Sequence, residues 1–169
     1  QTAVPYVSHL LTVCALVLED GGDEDEAIAA LLHDAVEDQG GAARLAEIRE
    51  RYGDHVAAIV AGCSDTDQQP KPPWRQRKEA YLRHLADPAT PESVLRVSAA
   101  DKLHNARSIL ADYRRHGDAL WSRFNPDADQ YWYYRSLVDA FQMAGDHRDL
   151  IAELAIVVDE LTTAMRSSS

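Results

Sequence analysis

Leu31-Leu32-His33-Asp34-Ala35-Val36-Glu37-Asp38 sets four ionisable side chains into a run that otherwise reads as an apolar helix. Just upstream, Asp23-Glu24-Asp25-Glu26 leads into Ala27-Ile28-Ala29-Ala30. Asp23 with Glu26 three residues later has the form of a capping box, which starts a helix by satisfying its free N–H groups. Gly40-Gly41 supplies a stop, since glycine adopts the left-handed conformation that closes helices. The expectation is one helix from Glu24 to Gln39. On it, His33 stacks with Glu37 and Asp34 with Asp38, because residues four apart share a face. The two pairs form neighbouring stripes, as adjacent residues are turned by about 100°. Burying four such groups without partners is costly. The helix therefore either exposes them or holds something positive. A lone His-Asp step is commonly a surface pair or a hydrogen-bonded core histidine, and Glu37-Asp38 alone would be a solvated helix end. The combination with two further segments is what raises a metal reading above these.

Composition narrows the classes. The chain has 169 residues, is 46% hydrophobic and carries a formal net charge of −11. This suffices for one domain with a sizeable core. The negative balance argues against general nucleic-acid or anionic-membrane binding, and an anionic substrate would need locally placed cations. There is no run of about 18 apolar residues and no signal-peptide pattern, so no membrane span is expected. The two cysteines, Cys14 and Cys63, sit in apolar helical contexts. They form neither a disulfide framework nor a metal-type spacing, and point to a reducing, cytoplasmic setting. The chain opens at Gln1 without an initiator Met, as if a segment preceded it. No feature of the pattern sets an oligomeric state.

The apolar periodicity gives helices over Pro5–Leu18, Glu24–Gln39, Ala42–Tyr52, Val56–Cys63, Trp74–Ala86, Glu92–His116, Ala119–Phe124, Tyr131–Met143 and Asp146–Met165. Glycine, proline and aspartate clusters separate them, with Asp127 a candidate cap and Ser167 to Ser169 a frayed tail. No strand alternation, repeat or linker interrupts the pattern. The fold class is all-α: a single-domain, multi-helix bundle spanning residues 1–169.

Residues with ligand chemistry occur at three separated places: His9, His33-Asp34 and Asp101. Asp101 interrupts the apolar-small run Val97-Ser98-Ala99-Ala100, where a satisfied or metal-bound carboxylate would sit. Asp101, Asn105 and Ser108 follow a four-then-three spacing and share a helix face. Two imidazole nitrogens and two carboxylate oxygens suit Mn, Fe, Co or Zn rather than Ca. Such a set leaves positions open for water, as catalytic metal sites do. Metal-bound water is acidified towards neutral pH and can attack phosphorus. Glu37 and Asp38, one turn beyond, stand where a general base belongs.

Pro5-Tyr6-Val7-Ser8-His9, His33-Asp34-Ala35-Val36-Glu37-Asp38 and Ala100-Asp101-Lys102-Leu103-His104-Asn105 together resemble a known family. The H…HD…D pattern is that of the HD-domain metal-dependent phosphohydrolases. The fuller motifs are similar to the hydrolase domain of RelA/SpoT proteins, most of all to the single-domain small alarmone hydrolases. The resemblance implies a Mn²⁺-dependent guanosine-3′,5′-bis(diphosphate) 3′-pyrophosphohydrolase, in which a metal-activated water removes the 3′-pyrophosphate of (p)ppGpp. It implies Mn²⁺, or another divalent transition metal, on His9, His33, Asp34 and Asp101. Glu37 and Asp38 would activate the water, and Asn105 and Ser108 would lie near the base. Arg77 and Lys78 match a basic pair facing phosphates, although an exposed basic helix face is ordinary in an acidic protein.

The sequence departs from the family at one place. Gln1-Thr2-Ala3-Val4 stands where the family carries an Arg-Lys-Gly-like, purine-holding segment. Substrate alternatives are therefore (p)ppApp or a dinucleotide cofactor, and a rival of another class is a nucleotide sensor without catalysis. Trp74, Trp121, Trp132 and Tyr131 to Tyr134 are expected in helix contacts. His55, His84, His116 and His147 are expected on the surface. His104 is read as turned about 100° or more from Asp101, hence structural.

Overall fold

The computed structural model describes residues 4–38, 40–66, 70–124, 128–145 and 148–167; the side chains of Asp38 and Ser167 lie outside that description. The elements run α1 (Val7–Glu19), α2 (Glu24–Leu32), α3 (Ala35–Asp38), α4 (Gly41–Cys63), α5 (Trp74–Ala86), α6 (Glu92–His116), a 3₁₀ helix (Gly117–Arg123), α7 (Gln130–Met143) and α8 (Asp149–Ser167). Among the described residues there is no strand, and no helix is long and apolar enough to cross a membrane. The all-α bundle read from the sequence is the fold observed.

Helix α6 is its axis. It packs against α1, α2, α4, α7 and α8. Val97, Ala99, Ala100, Leu103 and Ala106 along it are fully buried. The small residues let neighbouring helices approach closely. Gly62 on α4 does the same from the other side: a Cβ there would meet the Val94 methyl carbons at 2.8 and 2.9 Å. Phe141, Leu137, Leu154 and Leu161 from α7 and α8 complete one continuous hydrophobic core.

The capping box at Asp23 is present. Glu26 N–H donates to Asp23 Oδ1 at 2.9 Å, and Asp23 N–H donates to Glu26 Oε2 at 2.8 Å. Glu26 has a second duty. Its Oε1 accepts from Arg96 Nη1 at 2.5 Å, while Arg96 Nε reaches Asp20 Oδ2 at 3.0 Å. Buried charges need such pairing. Here one guanidinium ties the end of α1 and the start of α2 to α6.

The expected continuous helix over Glu24–Gln39 is broken. It stops at Leu32, His33-Asp34 form a turn, and α3 restarts at Ala35. The stacking of His33 with Glu37 and Asp34 with Asp38 on one straight helix therefore does not hold. The reason is geometric. Adjacent residues on a straight helix diverge by about 100°, whereas His33 Nε2 and Asp34 Oδ2 lie 3.3 Å apart. The break coincides with the convergence of both side chains on one point.

Other boundaries shifted less. The two helices expected either side of Gly53 are found within α4, separated at Gly53, whose φ of 90° and ψ of 172° are non-helical, a backbone that side chains with a Cβ avoid. The segment expected as a helix at Ala119 is the 3₁₀ turn from Gly117. Asp129 caps α7, its side chain accepting from Trp132 N–H; Asp127 lies outside the described residues, as do Asp146, His147 and the last two serines. Trp74, Trp121 and Trp132 are half-buried against the core. His55, His84 and His116 are exposed. Cys14 and Cys63 are both free, and burial pushes the Cys63 thiol up to about 12.

Leu103, fully buried on α6, is a direct probe of this core. Leu103→Ala is expected to cost about 2–5 kcal/mol, whereas Leu18→Ala, at 52% exposed, is expected to change stability by less than about 0.5 kcal/mol. Urea unfolding followed by circular dichroism measures both.

Candidate metal centre

Three elements deliver four side chains to one point. His9 comes from the first turns of α1, His33 and Asp34 from the break between α2 and α3, and Asp101 from the middle of α6. His9 Nε2 is 3.3 Å from His33 Nε2 and 3.3 Å from Asp101 Oδ1. His33 Nε2 is 3.5 Å from Asp101 Oδ1 and 3.3 Å from Asp34 Oδ2. Asp34 Oδ2 is 3.9 Å from His9 Nε2. Bonds of about 2.1 Å to a transition metal place neighbouring ligand atoms about 3–3.5 Å apart. The donor types and their spacing fit a divalent ion, and His9, His33 and Asp101 form a group able to hold one.

The electrostatics demand positive charge here. Burial disfavours the charged form of His33, yet Asp101 and Asp34 outweigh it and push the imidazole up to about 10. Burial would raise the Asp101 carboxyl; Lys102, His33 and His9 more than reverse this and hold it well below the usual carboxylate range. Asp34 is likewise lowered against its desolvation, chiefly by its hydrogen bond to His33. Without an ion, a proton on His33 is what the carboxylates recruit. Metal ligation requires neutral imidazole and so displaces that proton.

A second layer holds these groups. His33 Nδ1 donates to the Ala30 carbonyl at 2.8 Å, which orients its ring and aims Nε2 at the centre. Tyr6 donates its hydroxyl to Asp34 Oδ2. Asn105 Nδ2 donates to Asp101 Oδ1 at 2.6 Å, and Lys102 Nζ donates to Asp101 Oδ2 at 2.5 Å. Asn105 thus braces a carboxylate of the centre as well as lining the neighbouring cavity.

That cavity, of about 350 Å³, opens beside His9. His104, Asn105, Ser108, Asp112 and Arg115 from α6 form one wall, and Tyr6 and Ser8 form another. Asn105 and Ser108 both line it. His104 corrects an expectation: it is not turned away, for its Nδ1 lies 2.7 Å from His9 Nδ1. Three residues advance a helix by about 300°, which leaves His104 about 60° from Asp101. The i, i+3 relation in Asp101-Lys102-Leu103-His104 was the available signal.

Glu37 is half-buried and accepts from Lys71 Nζ at 2.9 Å, with Arg77 Nη1 at 3.8 Å. The Asp38 side chain lies outside the described residues. Arg77 and Lys78 are not an exposed basic face; their side chains are 14% and 17% exposed, and both donate to Asp65 Oδ2 at 2.6 Å. Asp65 was not singled out from the sequence. Its Oδ1 is buried without a hydrogen-bond partner. Lys102 and Tyr6 were also missed as individual residues, although both lie inside the quoted motifs.

Comparison with known proteins places these motifs among relatives. The family described as HD domain matches residues 1–126. Guanosine-3′,5′-bis(diphosphate) 3′-pyrophosphohydrolase MESH1 of Xenopus tropicalis is 36% identical over 107 residues, covering 62% of this chain and 56% of that protein. A probable GTP pyrophosphokinase of Mycobacterium leprae is 34% identical over 105 residues, 62% of this chain and 13% of that one. The match thus spans about half the length of the first relative and far less of the second. The crystal structure of lmo0812 from Listeria monocytogenes EGD-e superposes with a TM-score of 0.79 at 27% identity, over 92% of this chain and 99% of that one.

Asp65 offers a test of how the basic pair is held. Burial would raise its pKa; Lys78 and Arg77 lower it below the ordinary value. A carboxylate so depressed contributes stability that is present above its unfolded pKa of about 3.9 and lost as pH falls through the folded value. Asp65→Asn is expected to destabilise by about 3–5 kcal/mol at pH 7, with the gap to the wild type narrowing steadily below about pH 4. Urea titrations from pH 7 down to pH 3 measure this.

Proposed function

This chain belongs to the HD-domain family, and we propose that it is a Mn²⁺-dependent hydrolase that removes the 3′-pyrophosphate from (p)ppGpp. The observation that carries the reading is the convergence of His9 Nε2, His33 Nε2, Asp34 Oδ2 and Asp101 Oδ1 within 3.3–3.9 Å contacts beside an open cavity. The 36% identity over 107 residues to a relative named for 3′-pyrophosphohydrolase activity supports the substrate. We take residues 1–169 as one hydrolase unit, since α8, beyond the matched segment, packs on α6.

The four converging side chains would hold the ion. When bound, a divalent cation polarises water towards hydroxide and offsets phosphate charge. The remaining work falls to the chain. Glu37, and Asp38 beside it in sequence, would take the proton from the attacking water. Attack at the phosphorus nearest the ribose breaks the 3′ P–O bond. The ribose 3′ oxygen leaves with a proton, giving GDP or GTP and pyrophosphate. Lys71 and Arg77 border Glu37, and Lys78 shares Asp65 with Arg77; together they would supply the local cations that a chain of net charge −11 otherwise withholds from a phosphate. Asn105 and Ser108, at the cavity wall, would contact the nucleoside.

The test is release of GDP and pyrophosphate from ppGpp with added Mn²⁺, run beside a panel containing pppApp and a dinucleotide cofactor. Turnover of ppGpp is expected, and Glu37→Gln is expected to lower kcat by about 10²–10⁴-fold with metal content unchanged. Turnover confined to another nucleotide would move the substrate. Binding without turnover of any member would favour a sensor.

A further inference from the structure

We propose that His104 is a positioning residue for His9: it accepts a hydrogen bond from His9 Nδ1–H and so commits His9 to the tautomer whose Nε2 lone pair faces the centre. This rests on the metal-binding reading above.

The geometry is asymmetric in a telling way. Through Nε2, His9 looks at His33, Asp101 and Asp34. Through Nδ1, it looks at His104 Nδ1, 2.7 Å away. Two imidazole nitrogens at that distance share a single proton, since two N–H groups would clash and two lone pairs would repel. An imidazole that gives its Nε2 lone pair to a cation keeps its proton on Nδ1. That proton must then go to His104, whose own proton sits on Nε2. His33 solves the same problem differently: its Nδ1 donates to the Ala30 carbonyl, an obligate acceptor. Each imidazole of the centre therefore has a backing acceptor, one from the backbone of α2 and one from the side chain of His104. Such partners set tautomer, ring orientation and ligand basicity.

The ring of His9 is also clasped. Tyr6, His33 and His104 lie with ring centroids at 5.4, 5.2 and 4.9 Å from it. His9 is carried near the start of α1, where Tyr6 at the N-cap makes no side-chain cap hydrogen bond. The α6 helix is long and buried and supplies both the Asp101 ligand and the His104 brace. One rigid element would thereby fix the distance between two ligands that come from different helices.

The experiment is a Co²⁺ titration followed by its visible absorption, on wild type, His104→Ala, His104→Phe and His104→Asn, with thermal unfolding of each metal-free protein alongside. His104→Asn presents an amide oxygen as acceptor; His104→Phe fills the space without one. Loss of affinity by about 10–100-fold is expected for the Ala and Phe variants, with the Asn variant recovering most of it. In the Zn²⁺-loaded wild type, long-range ¹H–¹⁵N correlations are expected to show the His9 proton on Nδ1. Wild-type affinity in the Phe variant, an Asn variant as weak as Phe, or a His9 proton on Nε2 would each overturn the proposal. A wild type that binds no Co²⁺ would overturn the metal reading itself, and that result comes from a separate arm.

Discussion

Two imidazoles, their Nε2 atoms 3.3 Å apart and each 3.3–3.9 Å from both of two carboxylates in a largely buried corner, are the constraint on which the rest of this structure depends. Charges taken out of water need compensation close by. Asp101 is 5% exposed and His33 is 2% exposed, so solvent does not provide it. Lys102 neutralises one oxygen of Asp101 from behind. The other oxygen faces the two Nε2 atoms, and a single cation there would satisfy all four groups. A polar cluster of this kind is favourable when every member is satisfied and costly otherwise.

The surrounding architecture can be understood as what holds that corner. Helix α6 runs through the core on alanines and branched residues, and Asp101 is carried where small neighbours leave room. Arg96, five residues earlier, fixes α1 and α2 to α6 through Asp20 and Glu26. The capping box sets where α2 begins, and hence where its last turn delivers His33. Bundle packing is tight and short-ranged, so a shift of any of these three helices would be felt directly in the ligand distances.

Much of this was legible in the sequence. Trp74–Ala86 and Glu92–His116 were located to the residue because proline, aspartate and glycine punctuate them, and the cap at Asp23 follows from a local pattern. The H…HD…D residues could be paired across distant segments because their chemistry is rare in apolar helices. The break at His33-Asp34 was not legible, since local propensity favours a continuous helix and only tertiary convergence interrupts it. Asp65 was missed for a related reason: it lies in a loop after Cys63, and its meaning comes from Arg77 and Lys78, which fold back on it. The place of His104 follows only when the turn is completed, since three residues bring it back to about 60° from Asp101.

Occupancy of one point by a divalent ion decides the chemistry. Crystals grown with Mn²⁺ and measured at the Mn absorption edge would locate it. One anomalous peak is expected per chain, bonded to His9 Nε2, His33 Nε2, Asp34 and Asp101. A peak elsewhere, or none in protein that hydrolyses its nucleotide with Mn²⁺ present, would contradict it.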